Sequence, residues 1–210
     1  MRLPDNWNSF LTPYFNLSDF YQRQDMFLSE MKFVIPDKSK IFNVFNYMNP
    51  QEVKCVLYGE DPYPRSSSAI GIAFWDAEIK DWRDKTNGNS LKNILKALLV
   101  DRNIAEYKTP IAHCREIAFK NGIPSPGDMF RSWLRSGVLL INTALTYSGK
   151  ENKMKHFKFW LPFHLALIEA LNKRDKSPFY VLWGNKAGRW EGEILKSIDS
   201  PDKIIKQGHP

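Results

Sequence analysis

Four short apolar runs most constrain how this chain can fold. They are "VKCVLY" (Val53–Tyr58), "GVLLIN" (Gly137–Asn142), "FYVLWG" (Phe179–Gly184) and "DKIIKQG" (Asp202–Gly208). Each is short, rich in residues that favour strands, and closed by Gly, Asn or another turn residue. The first three lack a clean two-residue alternation, which predicts strands buried on both faces of a parallel sheet. Helical stretches separate them: "SLKNILKALLVD" after the first, "MFRSWLR" before the second, "WLPFHLALIEALNKR" before the third and "KAGRWEGEILKSI" before the fourth. The alternation predicts an α/β fold, a three-layer α/β/α sandwich around a short four-stranded parallel sheet.

The first fifty residues read as helical. "LSDFYQRQDMFLSEMKFV" places Leu17, Phe20, Tyr21, Phe27, Leu28 and Met31 near helical spacing, with Ser18 and Asp19 as candidate caps. "SKIFNVFNYM" repeats the pattern, and Pro50 ends it. The 210 residues contain no internal repeat, low-complexity tract or long linker, so one domain spanning 1–210 is expected.

In an open parallel sheet, ligands bind beyond the carboxyl ends of the strands. The residues that close the runs are therefore the candidate site: Gly59-Glu60-Asp61, Asn142, Gly184-Asn185 and His209. Parallel strands would bring a carboxylate, an amide, a turn rich in backbone donors and an imidazole to one edge. Each also has an ordinary structural use. Asp61 before Pro62 can start a turn, Tyr63 between Pro62 and Pro64 can be a packed aromatic, and Asn142 can make an Asx turn. Phe74 in "GIAFWD" can be core, Ser90 can cap the helix that follows it, and His209 lies next to the chain end. "KMKHFKFW" interleaves basic and aromatic residues, which suits nucleic acid and a solvated helix entry about equally.

A formal charge of +7 and a pI near 9.3 suit a polyanionic partner, though many small basic proteins bind none. Cys55 and Cys114 are the only cysteines; Cys55 reads as a small core residue, and no Cys/His cluster suggests zinc. His113, His156 and His164 share no metal-ligand spacing and read as surface or structural. No segment has the length of apolar run that spans a bilayer. A soluble protein in a reducing compartment is expected, cytoplasmic with a nuclear location left open.

Taken in order, these motifs resemble the family 1 uracil-DNA glycosylases. "VKCVLYGEDPYP" resembles the family's water-activating motif, commonly Gly-Gln-Asp-Pro-Tyr-His. "GIAFWD" falls where the family has Gly-Leu-Cys-Phe-Ser, and "SLKNILKAL" matches the helix after it. "GVLLINTALT" with "GK" resembles Gly-Val-Leu-Leu-Leu-Asn with its Leu-Thr. "VLWGNKA" resembles the strand and Gly-Ser loop, and "GHP" the start of His-Pro-Ser-Pro-Leu. The matches run from about Trp7 to Pro210 and imply the family's fold.

The resemblance implies a metal-free hydrolase without a cofactor, acting on uracil-containing DNA, single- or double-stranded, as a monomer. Asp61 would position the attacking water and oppose the cationic sugar. Tyr63 would exclude the methyl of thymine, Phe74 would stack on the flipped uracil, and Asn142 would read its edge. Glu60 would line the base site, and His209 would hydrogen-bond the uracil O2. Ser90, Gly184 and Asn185 would contact phosphates.

The chain also departs from that pattern. Glu60 replaces Gln, a second carboxylate expected to raise one acid's pKa or to repel DNA. Pro64 replaces His, and Asn185 replaces Ser. "KTNGNS" stands where the family has a proline-rich loop that compresses DNA. The family continues past Pro210 with Ser-Pro-Leu and a helix, so a missing C-terminal segment is expected, with weaker support for His209. Two other readings stay open: a catalytically weak relative acting as a DNA-binding or replication scaffold, and a glycosylase for another damaged base. A protein inhibitor or replication partner is compatible with any of the three.

Overall fold

The computed structural model of the chain describes residues 1–84 and 89–210. Two helices open it, α1 (Asp5–Leu11) and α2 (Leu17–Ser29), followed by short 3-10 turns and the first strand, β1 (Cys55–Gly59). Three helices, α3 (Asn89–Asp101), α4 (Ile111–Lys120) and α5 (Pro126–Arg135), lead into β2 (Val138–Asn142). The long α6 (Lys153–Asn172) precedes β3 (Phe179–Trp183), and the short α7 (Gly184–Gly188) and α8 (Glu191–Leu195) precede β4 (Ile204–Gln207).

The pairings between these four strands are parallel, and the strand order is β2-β1-β3-β4. The register sets Tyr58 beside Ile141 and Leu182, and Gly59 beside Asn142. After Cys55, every residue of β1 is buried, as expected where both sheet faces are covered. Tyr58 stacks on Trp190 just before α8, and Tyr180 donates its hydroxyl to Asn172 of α6 at 2.7 Å. Trp75 stacks on Phe130 of α5. The chain turns one way out of β1 and the other way out of β3. That places the topological switch point, where open α/β sheets bind ligands, between these two strands.

The N-terminal half differs in detail from the reading of its sequence. The residue that caps α2 is Asn16, whose side chain accepts from the Asp19 backbone N–H. Ser18 and Asp19 lie inside the first turn. "SKIFNVFNYM" forms 3-10 turns at Lys38–Lys40 and Asn43–Tyr47 instead of one α-helix. Ile41, Phe42, Val44 and Phe45 are all buried, two adjacent pairs that a single amphipathic helix face would not present, while Asn46 and Tyr47 stay exposed. The helix expected from Trp160 begins at Lys153 and runs through Pro162. His156 anchors its first turns, with Nδ1 2.8 Å from the Thr146 hydroxyl and Nε2 2.6 Å from that of Ser148. Among the described residues, no helix is long and apolar enough to cross a membrane.

Candidate active site

The strand ends deliver the predicted residues to one edge. Asn142 closes β2, Glu60 and Asp61 follow β1, Gly184 follows β3, and His209 follows β4. Backbone bonds lace the central pair together. Thr143 donates its N–H and its hydroxyl to the Gly59 carbonyl, and Ala144 N–H donates to the Glu60 carbonyl at 3.0 Å. Trp190 Nε1–H in turn donates to the Thr143 hydroxyl. The backbone that carries Glu60 and Asp61 is therefore fixed independently of their side chains.

Asn142 is almost fully buried, and its Oδ1 sits against the Cα of Gly59. A Cβ at Gly59 would collide with that oxygen and come within 2.9 Å of Ala73 Cβ. Only glycine at this register position leaves room for the amide.

One wall of the crevice is a closed loop. Tyr63 donates its hydroxyl to the Phe74 carbonyl at 3.2 Å, and burial pushes the phenol up to about 12. Phe74 holds φ +65, an uncommon conformation for an aromatic residue, and its ring meets Trp183 edge-on at 5.4 Å. Arg65 ties the start of this loop to the segment after Phe74, bonding to the buried Asp76 carboxylate at 2.8 Å and to Glu78 at 2.9 Å. Strained backbone persists where surroundings over-determine it, and it clusters at functional sites.

The two carboxylates are not alone. Lys153 Nζ, from the first turn of α6, lies 2.7 Å from Glu60 Oε1 and 3.0 Å from Asp61 Oδ2. Lys186 of α7 pairs with the same Glu60 oxygen. Burial pushes the Glu60 carboxyl up, but hydrogen bonds from the two ammonium groups outweigh it and leave the pKa lowered. Asp61 is more deeply buried, and burial holds its carboxyl above the usual range despite Lys153. Of the two effects expected of Glu60, the raised pKa is present, at Asp61, and the negative charge that could repel DNA is countered within the protein by Lys153 and Lys186.

His209 follows β4 and packs on Gly184. With φ +79, Gly184 occupies the left-handed region, and a Cβ there would come within 2.8 Å of His209 Cβ. The imidazole is exposed, and its Nδ1 lies 2.9 Å from the Pro210 carbonyl oxygen. Gly184 and Asn185 line an open groove of about 610 Å³ with Arg189 and Lys206 on its walls. A narrower cavity of about 310 Å³ opens on the far side of Glu60, between Phe157, Leu161 and Trp190. Tyr63, Phe74, Asn142 and His209 do not line it.

A family model for the uracil DNA glycosylase superfamily matches residues 45–210, which covers every strand and every residue of this edge. The chain belongs to the uracil DNA glycosylase superfamily. A uracil-DNA glycosylase of Bacillus cytotoxicus is 31% identical over 212 residues, covering 99% of this chain and 82% of the relative. Another, from Dictyostelium discoideum, is 32% identical over 190 residues; it covers 90% of this chain, which spans about half (48%) of that relative's length. Among solved structures, the wild-type UNG of Nitratifractor salsuginis superposes with a TM-score of 0.76 at 26% identity, covering 99% of this chain and 84% of the other.

Within this superfamily member, Ser90 departs from the cap position read from the sequence. Helix α3 is described from Asn89, which puts Ser90 inside its first described turn and not at the cap. Of "KTNGNS", residues 85–88 lie outside the described residues. Sequence reasoning missed Lys153, Lys186 and the Arg65–Asp76 pair. The one signal for the lysines was Glu60 itself, because two adjacent carboxylates at a buried strand end require a counter-charge.

Proposed function

We propose that this chain is a uracil-DNA glycosylase of the family 1 type. It flips uracil out of DNA, hydrolyses the N-glycosidic bond and leaves an abasic site. The observation that carries the reading is the partly buried Asp61 carboxylate at the β1 end. It sits on one edge with the Asn142 amide and the rigid Tyr63–Phe74 wall, in a member of this superfamily.

The residue types fit the chemistry. A base within a duplex is out of reach, so the nucleotide must leave the stack. As the bond between sugar C1′ and uracil N1 breaks, the sugar gains positive charge and the base negative charge. Asp61 opposes the first and orients the water whose oxygen bonds to C1′. His209 donates toward the second. Such groups act strongly in a site that excludes water. Asn142 offers both a donor and an acceptor to the uracil edge. Tyr63 bars the thymine methyl and Phe74 stacks on the base. Gly184 and Asn185, with Arg189 and Lys206 beside them, receive the phosphates, and Ser90 of α3 is assigned the same task by the family resemblance.

The test uses magnesium-free incubation with single-stranded oligonucleotides carrying uracil, thymine or hypoxanthine, followed by alkaline cleavage. Cleavage at uracil alone, strongly impaired by Asp61→Asn, is expected. Salt-sensitive DNA binding without product would support the scaffold reading instead. Release of hypoxanthine would move the substrate to another damaged base.

A further inference from the structure

Four charged groups alternate along the site edge: Lys186, Glu60, Lys153 and Asp61. Lys186 and Lys153 meet on one oxygen of Glu60, and Lys153 spans from there to Asp61. We propose that Lys153 is a positioning residue for the Asp61 carboxylate, held to that task by Glu60. The inference rests on the reading of Asp61 as the carboxylate that works on the sugar.

Three observations carry it. First, the pair with Asp61 is sheltered, with side chains 29% and 18% exposed, so water screens it less than an ordinary surface pair. Second, one ammonium group bridges both carboxylates, with Lys153 Nζ 2.7 Å from Glu60 Oε1 and 3.0 Å from Asp61 Oδ2, so the anchor on Glu60 holds the lysine against Asp61. Third, Glu60 explains its own presence. A glutamine would offer the two ammonium groups a neutral oxygen in place of a counter-charge. Its backbone is already secured by Ala144, so the carboxylate serves the lysines and not the loop.

The balance of charge shows why Glu60 and Lys153 act together. Glu60 raises the pKa of Asp61 by like-charge repulsion, while Lys153 lowers it by attraction and hydrogen bonding. The charged groups acting on Asp61 are Lys153 from α6, Glu60 from its own segment and, more distantly, Lys186 from α7. His209, beyond β4, is bonded to Pro210. Removing Lys153 alone leaves Asp61 both buried and beside an unopposed carboxylate. Removing Glu60 as well relieves that repulsion.

The experiment measures the pH dependence of single-turnover uracil release for wild type, Lys153→Met, Lys153→Arg and the Lys153→Met, Glu60→Gln double variant. An opposite charge at this range lowers an aspartate by about one pH unit or more. The acid limb of Lys153→Met is therefore expected at least ~1 pH unit higher. Lys153→Arg should stay near wild type, and the double variant should recover part of the shift. A uniform fall in rate with the limb unmoved would mean that Lys153 only supports the fold, and would overturn the proposal. Titration of the Asp61 carboxyl carbon by NMR, without DNA, reads the same shift independently of turnover. If the wild type released no uracil, the glycosylase reading would fail while this titration still decided the role of Lys153. An Asp61 midpoint unchanged by Lys153→Met would end the inference whatever the activity.

Discussion

The Tyr63 hydroxyl donates to the Phe74 carbonyl at 3.2 Å, eleven positions on in the chain, and so ties the two aromatic walls of the crevice to each other. The strap between them explains the rigidity. Arg65 ties to Asp76, Ser68 and Glu78, and the Glu78 N–H donates back to Asp76. Asp76 is only 3% exposed, and a buried charge of this kind is strongly destabilising once its partner is lost. The prolines on either side of Tyr63 restrict its backbone further.

Rigidity here should translate into discrimination. A single methyl in an adaptable pocket is worth only ~1–3 kcal/mol. Tyr63→Ala removes the wall and is expected to let thymine be released, narrowing the preference for uracil by about 10- to 200-fold. Rates of abasic-site formation on paired uracil and thymine oligonucleotides measure this. A variant that loses uracil activity without gaining thymine activity would show that Tyr63 has another task.

Asp61→Asn keeps the shape of the side chain and removes its charge. Loss of one charge-stabilising group typically lowers the rate by ~10²–10³. That fall is expected in single-turnover release of uracil. Affinity for DNA should hold or rise, because a negative charge facing a polyanion is gone. Fluorescence anisotropy at a fixed salt concentration checks the second half.

Much of this was legible from the chain because the strands are buried on both faces. Val56, Leu57 and Tyr58 could only be interior, and their shared direction brought Asp61, Asn142 and His209 to one edge. What could not be read was set by tertiary contact. Helix α4 escaped notice because it buries only Cys114 and Ala118, residues too small to mark a periodic face. The segment around Phe42 and Phe45 has apolar residues enough for a helix, yet packing against Trp7 and Trp160 sets its shape. Lys153 lies in a stretch that reads equally well as a DNA-binding or a solvated helix entry. Only the fold brings it to Glu60, and no spacing along the chain could have announced that pairing.

Gly184 links the ends of β3 and β4. An alanine there would carry the left-handed strain of an L residue, about 1–2 kcal/mol, and would press on His209. Gly184→Ala is therefore expected to lower thermal stability modestly and uracil release sharply, since it displaces the imidazole. Melting curves together with single-turnover rates separate the two effects. A variant with wild-type rate but reduced stability would mean that His209 tolerates the shift or takes no part in the reaction.

The buried histidine His164 should make stability depend on pH. It lies within α6, fully enclosed by Tyr58, Phe163 and Trp190, and burial pushes its imidazole down to about 3. In the unfolded chain the same group titrates near 6.5. Between those values the unfolded state binds a proton that the folded state refuses. Stability from this group is thus complete above pH 6.5 and declines as pH falls toward 3, by up to ~1.4 kcal/mol per pH unit. His156, lowered by burial to about 4, adds to the same trend. His164→Phe keeps a ring in the cavity and removes the titration. Urea midpoints at pH 7 and pH 5 should therefore differ less for the variant than for wild type. Equal differences would show that the acid sensitivity arises elsewhere.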